Sequence, residues 1–201
     1  AIVDEQHRFG VRQRLELGKK GAQADVLVMT ATPIPRSLAL AQYGDMDVSV
    51  LDEKPPGRQP ITTVMVSDNR IDEVVDRLRQ AVAEGKQAYW VCPLVEESEV
   101  MDLTAAEDRF KMLRAALGEG ICGLVHGQMP PADKDAAMAD FASGKTKVLV
   151  ATTVIEVGVD VPNATIMVIE RAESFGLAQL HQLRGRVGRG DQASTCLLMY
   201  Q

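Results

Sequence analysis

The 201-residue chain is 46% hydrophobic and 25% charged, with a formal net charge of −6 at pH 7. That composition belongs to a folded globular protein and excludes a disordered tail. The acidic balance excludes nucleic-acid binding through a global positive field, so any contact with DNA or RNA must be local. No apolar run approaches the ~20 residues that cross a bilayer, and no basic leader precedes an apolar stretch, so a cytoplasmic location is expected.

The chain opens on an apolar strand, Ala1-Ile2-Val3, already under way, and residues 1–45 read as the carboxyl-terminal remnant of a domain whose beginning lies elsewhere. Asp4 and Glu5 put two carboxylates at the exit of that strand, where ligands bind in open α/β sheets. A turn or N-cap role is the ordinary alternative. A second strand is expected over Val26 to Thr30, followed by Thr30-Ala31-Thr32-Pro33-Ile34-Pro35-Arg36, whose prolines forbid simple continuation into a helix. Residues 46–60 are assigned as a linker, because Pro55, Pro56, Gly57 and Pro60 can neither sit in a helix interior nor complete a strand ladder.

From 61 to 201, short apolar runs alternate with amphipathic stretches, the pattern of a parallel α/β sheet flanked by helices and long enough for a complete domain. Strands are expected at Ile61 to Val66, Gln87 to Cys92, Gly123 to His126, Lys147 to Thr152, Ala164 to Ile169 and Thr195 to Tyr200. A helix beginning after Ser67 or Asp68 should bury Ile71, Val74, Val75, Leu78 and Val82 and stop at Gly85. Another should open on a Thr104 to Glu107 capping box, bury Ala106, Phe110, Leu113 and Leu117, and stop at Gly118. A third is expected around Ala132 to Phe141.

A last long helix is expected through His181-Gln-Leu-Arg-Gly-Arg-Val-Gly-Arg-Gly190. At ~100° per residue it turns Leu180, Leu183 and Val187 to one side and Gln182, Arg186 and Arg189 to the other. Gly185 and Gly188 each cost roughly 1 kcal/mol in a helix interior, which points to a close approach at that backbone. Planar, permanently charged guanidiniums on a rigid face suit a phosphate; a surface helix with ordinary salt bridges is the alternative.

The one Gly-Lys-Thr, Gly144-Lys145-Thr146, lacks the first glycine of a phosphate-binding loop. It also has a helix before it and a strand after it, the reverse of what that loop needs. Gly144 is therefore expected to end a helix. Thr152 and Thr153 follow a strand and lead into Val154 to Asp160, where hydroxyls and free amides could take a phosphate or simply cap a helix. His126-Gly127 ends another strand. Cys92, Cys122 and Cys196 lie far apart and suit buried small hydrophobes better than metal ligands.

Taken in order, these segments resemble the motor of a superfamily 2 helicase, over essentially all 201 residues. Asp4-Glu5-Gln6-His7 matches motif II, Thr30-Ala31-Thr32 motif III, Ala151 to Asp160 motif V and Gln182 to Arg189 motif VI, with Gly123 to Gly127 where motif IV would lie. Asp-Glu-Gln-His-Arg-Phe-Gly, then Thr-Ala-Thr-Pro-Ile-Pro-Arg, then Tyr43 to Arg58 are similar to the RecG family. The transcription-repair coupling factor is the nearer alternative, and a non-catalytic RecA-like binding module the more distant one.

The resemblance implies the tail of a first RecA-like lobe (1–45), a linker (46–60) and a second RecA-like, helicase C-terminal lobe (61–201), with ATP and Mg²⁺ as cofactors. Asp4 and Glu5 would serve Mg²⁺ and the attacking water, and Arg186 and Arg189 the γ-phosphate as arginine fingers. Gln182, Asp160, His7 and Gly158 would line the nucleotide. Thr152, Thr153, Arg36 and Gly127 would grip the DNA backbone, and Thr30 and Thr32 would couple the two activities. The implied partners are branched double-stranded DNA, such as stalled forks and Holliday junctions, with a single-strand DNA-binding protein as a further candidate. A monomer with no membrane partner is expected. Without the nucleotide-binding loop, the amino-terminal wedge domain and the carboxyl-terminal hairpin, residues 1–201 alone are expected to be inactive.

Overall fold

The computed structural model describes residues 1–4, 16, 25–31, 46–94, 98–152 and 160–201, and the chain divides into two compact units, Ala1–Asp52 and Glu53–Gln201. In the first unit, β1 (Ile2–Asp4) pairs in parallel with β2 (Leu27–Met29), Asp4 lying opposite Met29. The side chains of that pair are mostly exposed, and Val3 is its buried member.

The second unit is a six-stranded parallel sheet. Its strands are β3 (Ile61–Ser67), β4 (Gln87–Cys92), β5 (Cys122–Val125), β6 (Val148–Thr152), β7 (Ala164–Ile169) and β8 (Ser194–Tyr200), in the order β3-β8-β7-β4-β6-β5. β4 pairs with β6 on one edge and β7 on the other, and all six of its residues are buried. A parallel strand covered on both faces reads as a continuous apolar run, which is why these strands were legible to within a residue or two.

Alternation along β4 sorts the core into two layers. Ala88, Trp90 and Cys92 join the layer built by α1 (Ile71–Ala83) and α2 (Glu99–Leu117), with Val74, Val75, Leu78, Ala106 and Leu113. Tyr89 and Val91 join the layer of α3 (Pro131–Ala142) and α4 (Leu177–Arg184), with Met138, Phe141 and Leu183. Ile71, Val82, Phe110 and Leu117, expected to be buried, lie half-buried at the margin of the first layer.

Two helices differ from expectation. α2 starts at Glu99, five residues before the expected capping box, so Thr104 lies inside it. The Thr104 hydroxyl donates to the Val100 carbonyl at 2.8 Å, a back-bond to residue i−4 that serves the hydroxyl within a helix as well as a cap would. α4 ends at Arg184 after eight residues, so Arg186 and Arg189 are not on a helix. Gly185 takes the C-cap position and Gly188 adopts φ +72°, the left-handed region that breaks a helix.

Gly144 ends α3 as expected. It adopts φ +80° and its N–H donates to the Phe141 carbonyl, while β6 begins four residues later. The Gly-Lys-Thr run is thus a helix exit and not a phosphate loop. Among the described residues, no helix is long and apolar enough to cross a membrane.

The α3 exit is tied to the start of β4 by Gln87. Its Nε2 donates to the Phe141 carbonyl at 2.7 Å and the Thr146 carbonyl at 3.1 Å, and the residue is 2% exposed. Without Gln87 the Phe141 carbonyl still accepts from the Gly144 N–H, but the Thr146 carbonyl loses its donor, at a cost of about 1–3 kcal/mol. Gln87→Leu is therefore expected to lower the stability of the second unit by that amount, read by urea titration of the fluorescence of Trp90, the single tryptophan.

Candidate phosphate-binding site

β7 ends at Ile169, and the Glu170 N–H still bonds the Val91 carbonyl at 3.0 Å. Arg171 then takes φ +46° and ψ +55°, alone among the described non-glycine residues in having positive φ. This left-handed step and a single 3-10 turn, Ala172–Ser174, swing the chain to the α3 layer. α4 starts after Gly176, whose N–H donates to the Gln179 side chain at 3.2 Å. Gln179 thus reaches back to an otherwise unpaired helix-terminal donor.

Past α4, the chain is held from below. The N–H groups of Gly185, Arg186 and Val187 donate to the carbonyls of His181, Leu183 and Arg184. Val187 is 1% exposed and packs beside Leu183 in the core. A Cβ at Gly188 would stand 2.7 Å from Ile61 Cγ1 and 2.9 Å from Ile61 Cδ1. The close approach implied by the glycines is therefore made by a side chain of β3, inside the same unit.

Between these anchors the charged residues face outward. Arg189 is exposed and its Nε donates to the Gly185 carbonyl at 3.2 Å; Gln182 on α4 is exposed and Arg186 half-buried. The apolar side of the expected wheel survives, with Leu183 and Val187 inward and Leu180 packed against them. A turn, rather than a continued helix, delivers it.

Tyr89 is a buried phenol on β4. Burial pushes its phenol above the ordinary tyrosine value, Arg186 and then Arg189 pull against that shift, and Asp160 adds to it. Those three charged groups, from two separate segments, therefore act on one buried hydroxyl-bearing ring. Tyr89 also packs on Phe141 with ring centroids 4.9 Å apart. Sequence reasoning missed Tyr89, because an aromatic in an apolar strand reads as core.

The other expected residues are placed as follows. Asp4 is exposed at the end of β1, and Thr30 is exposed just past β2, so the exits of two paired strands bring them side by side. Thr152 closes β6 and is 3% exposed, which keeps its side chain from solvent. Gly127 is exposed beyond β5, and its carbonyl accepts from Lys134 Nζ at 2.9 Å. Glu5, His7, Thr32, Arg36, Thr153 and Gly158 lie outside the described residues.

The cysteines are inert. Burial pushes the thiols of Cys122 and Cys196 up to about 11 and that of Cys92 higher still. Among the described residues no group of three or more His, Cys, Asp or Glu could hold a metal ion. A cavity of about 330 Å³ opens at the carboxyl ends of β4, β7 and β8, lined by Asp68, Cys92, Asp102, Arg109, Glu170 and Tyr200 among others. Most of that lining belongs to the α1 and α2 side, the sheet face opposite Tyr89, so the cavity is not part of the arginine cluster.

A parallel sheet layered on both faces, with two arginines on a glycine-bounded turn after its last helix, defines a RecA-like helicase C-terminal lobe. Residues 70–191 match the model of the helicase conserved C-terminal domain, and the chain belongs to that family. It is 59% identical to the ATP-dependent DNA helicase RecG of Escherichia coli (strain K12) over 100% of its own length and 30% of that protein's. To the RecG of Thermotoga maritima it is 54% identical over 98% of its length and 26% of the relative's. The chain thus spans about three tenths of the length of the curated relatives it matches. The solved structure of RecG bound to a three-way DNA junction superposes with a TM-score of 0.77 at 48% identity, covering 99% of this chain and 25% of that one. The helicase MrfA bound to DNA and AMPPNP, at 16% identity and a TM-score of 0.67, shares the fold.

Gly188 is the residue on which the arginine turn rests. Gly188→Ala meets both an unfavourable φ and the Ile61 side chain, an overpacking worth about 1–3 kcal/mol. Its melting temperature is expected to fall, and adding Ile61→Ala should recover the steric part of the loss but not the backbone part.

Proposed function

We propose that this chain is the motor segment of an ATP-dependent DNA helicase of the RecG type, which remodels branched double-stranded DNA such as stalled forks and Holliday junctions in the bacterial cytoplasm. The observation that carries this reading is the 59% identity to a named DNA helicase over the full length of this chain, with the cationic turn of Arg186 and Arg189 braced after α4.

The donor set fits a nucleotide polyphosphate. Arg189, braced on the Gly185 carbonyl, and Arg186 present planar cations to the terminal phosphate, where bidentate geometry matters. Gln182 adds an amide one turn away, and Asp160 orients the guanidiniums or bonds the ribose. Asp4 supplies a hard oxygen donor at a strand exit, suited with Glu5 to Mg²⁺ and its water; bound MgATP supplies the phosphoryl group that is transferred to water. His7 and Gly158 complete the nucleotide contacts. Thr153, Arg36 and Gly127 hold DNA phosphates without reading sequence, while Thr152, buried at the end of β6, backs them from within the sheet. Thr30 and Thr32 link the two. The protein works as a monomer, with a single-strand DNA-binding protein as a further partner.

An arginine finger is worth about 10³–10⁵ in kcat. In the intact protein containing this chain, Arg189→Ala is expected to lower DNA-stimulated ATP hydrolysis by about that factor while fork binding in a gel-shift assay persists. Wild-type turnover in that variant would refute the assignment. Residues 1–201 alone are expected to show no DNA-stimulated hydrolysis in a phosphate-release assay.

A further inference from the structure

Glu170 stands one residue beyond β7 and is three-quarters or more buried, its side chain 15% exposed. Its Oε2 accepts from Trp90 Nε1 at 2.7 Å, from Arg109 Nε at 3.0 Å and from Cys92 Sγ at 3.4 Å, and its Oε1 accepts from Arg109 Nη2 at 2.6 Å. Arg109 thus grips the carboxylate with both prongs of its fork, and its Cζ lies 5.9 Å from the centre of the Trp90 ring. One carboxylate therefore fastens β7 to β4 and to α2 together.

Its position gives this knot a consequence beyond packing. β4 is followed by a helix on one face of the sheet, α2, while its neighbour β7 leads to a helix on the other face, α4. Adjacent parallel strands whose connections part to opposite faces make the crevice where α/β sheets do their work. Glu170 sits at that parting, and the next residue, Arg171, carries the left-handed step that starts the crossing. The segment that leaves this corner is held in the core by Ala172, Leu183 and Val187 and fitted over Ile61 at Gly188, just before Arg189.

We propose that Glu170 is a positioning residue for the arginine turn. By pinning the corner to Trp90 and Arg109, it sets where α4 begins and so the placement of Gln182, Arg186 and Arg189 about Tyr89. Arg109 is its partner in this role, although it belongs to the opposite layer and is remote in sequence from every motif residue. A carboxylate used only for packing would contribute to melting temperature and nothing else. A positioning carboxylate contributes to the rate of a reaction it does not touch, because a misplacement of about 1 Å at the reacting groups costs on the order of 10²-fold.

The inference rests on the motor reading above, and the experiment separates the two. In the intact protein, Glu170→Gln keeps the size of the side chain and its hydrogen-bond acceptor but loses the charge, while Arg109→Lys keeps the charge but loses the fork. Each is expected to lower the kcat of DNA-stimulated ATP hydrolysis about 10- to 100-fold with KM for ATP changed by less than about threefold. The double variant should be no worse than the more impaired single one, since both cut the same link. If either folded variant melts at lower temperature yet turns over ATP at the wild-type rate, the carboxylate is only structural and the proposal fails. If Glu170→Gln does not fold, Arg109→Lys decides on the same criteria. If the wild-type protein shows no DNA-stimulated hydrolysis, the motor reading falls first and this one with it.

Discussion

The second unit depends on the two-sided burial of β4. A strand with neighbours on both edges and helices on both faces gives its polar side chains little access to water, so those at its two ends find partners within the protein. Gln87 meets the requirement at the amino end by bonding the carbonyls at the α3 exit. At the carboxyl end the Trp90 indole and the Cys92 thiol meet it by sharing Glu170. The polar contacts of β4 are thus the ties that fix where α3 ends and where the path to α4 begins.

The turn carrying Arg186 and Arg189 is a product of the same constraint. Its backbone is anchored in the core by Val187 and fitted over Ile61 by Gly188, so β3, at the sheet edge, supports residues more than a hundred positions later. A helix would have carried the guanidiniums on a straight face; the glycine turn lets them project from a short, braced segment. Pre-organised charged groups of this kind lose little conformational freedom when an anion arrives.

The strands and the division into two helical layers were legible because buried parallel strands leave continuous apolar runs and their helices a 3.6-residue period. The end of α4 was not legible from periodicity, because Leu183 and Val187 are spaced four apart whether the chain between them is helical or turning. The better signal was the pair of glycines, which a close approach explained only in part. Thr104 misplaced the start of α2 because a hydroxyl that back-bonds within a helix and one that caps its end look alike in sequence. Glu170 was missed because it acts through groups brought close by sheet pairing, Trp90 beside Val168 and Val91 beside Ile169, and no local pattern encodes which strands become neighbours. Asp4 and Thr30 of the first unit stand at strand exits as expected, whereas Glu5, His7, Thr32 and Arg36 fall outside the described residues.

A net charge of −6 sits uneasily with a protein proposed to hold both a nucleotide and DNA, and the geometry of the arginine turn bears on this. Long-range attraction scales with total charge and is screened over a Debye length of about 8 Å in physiological salt. Local attraction depends on the medium around the charges. Arg186 is half-buried and Arg189 is exposed beside the buried Val187, and a charge partly withdrawn from water interacts more strongly than one in bulk solvent. A phosphate site on this turn would therefore draw on local attraction, which the net charge of the whole chain neither supplies nor abolishes.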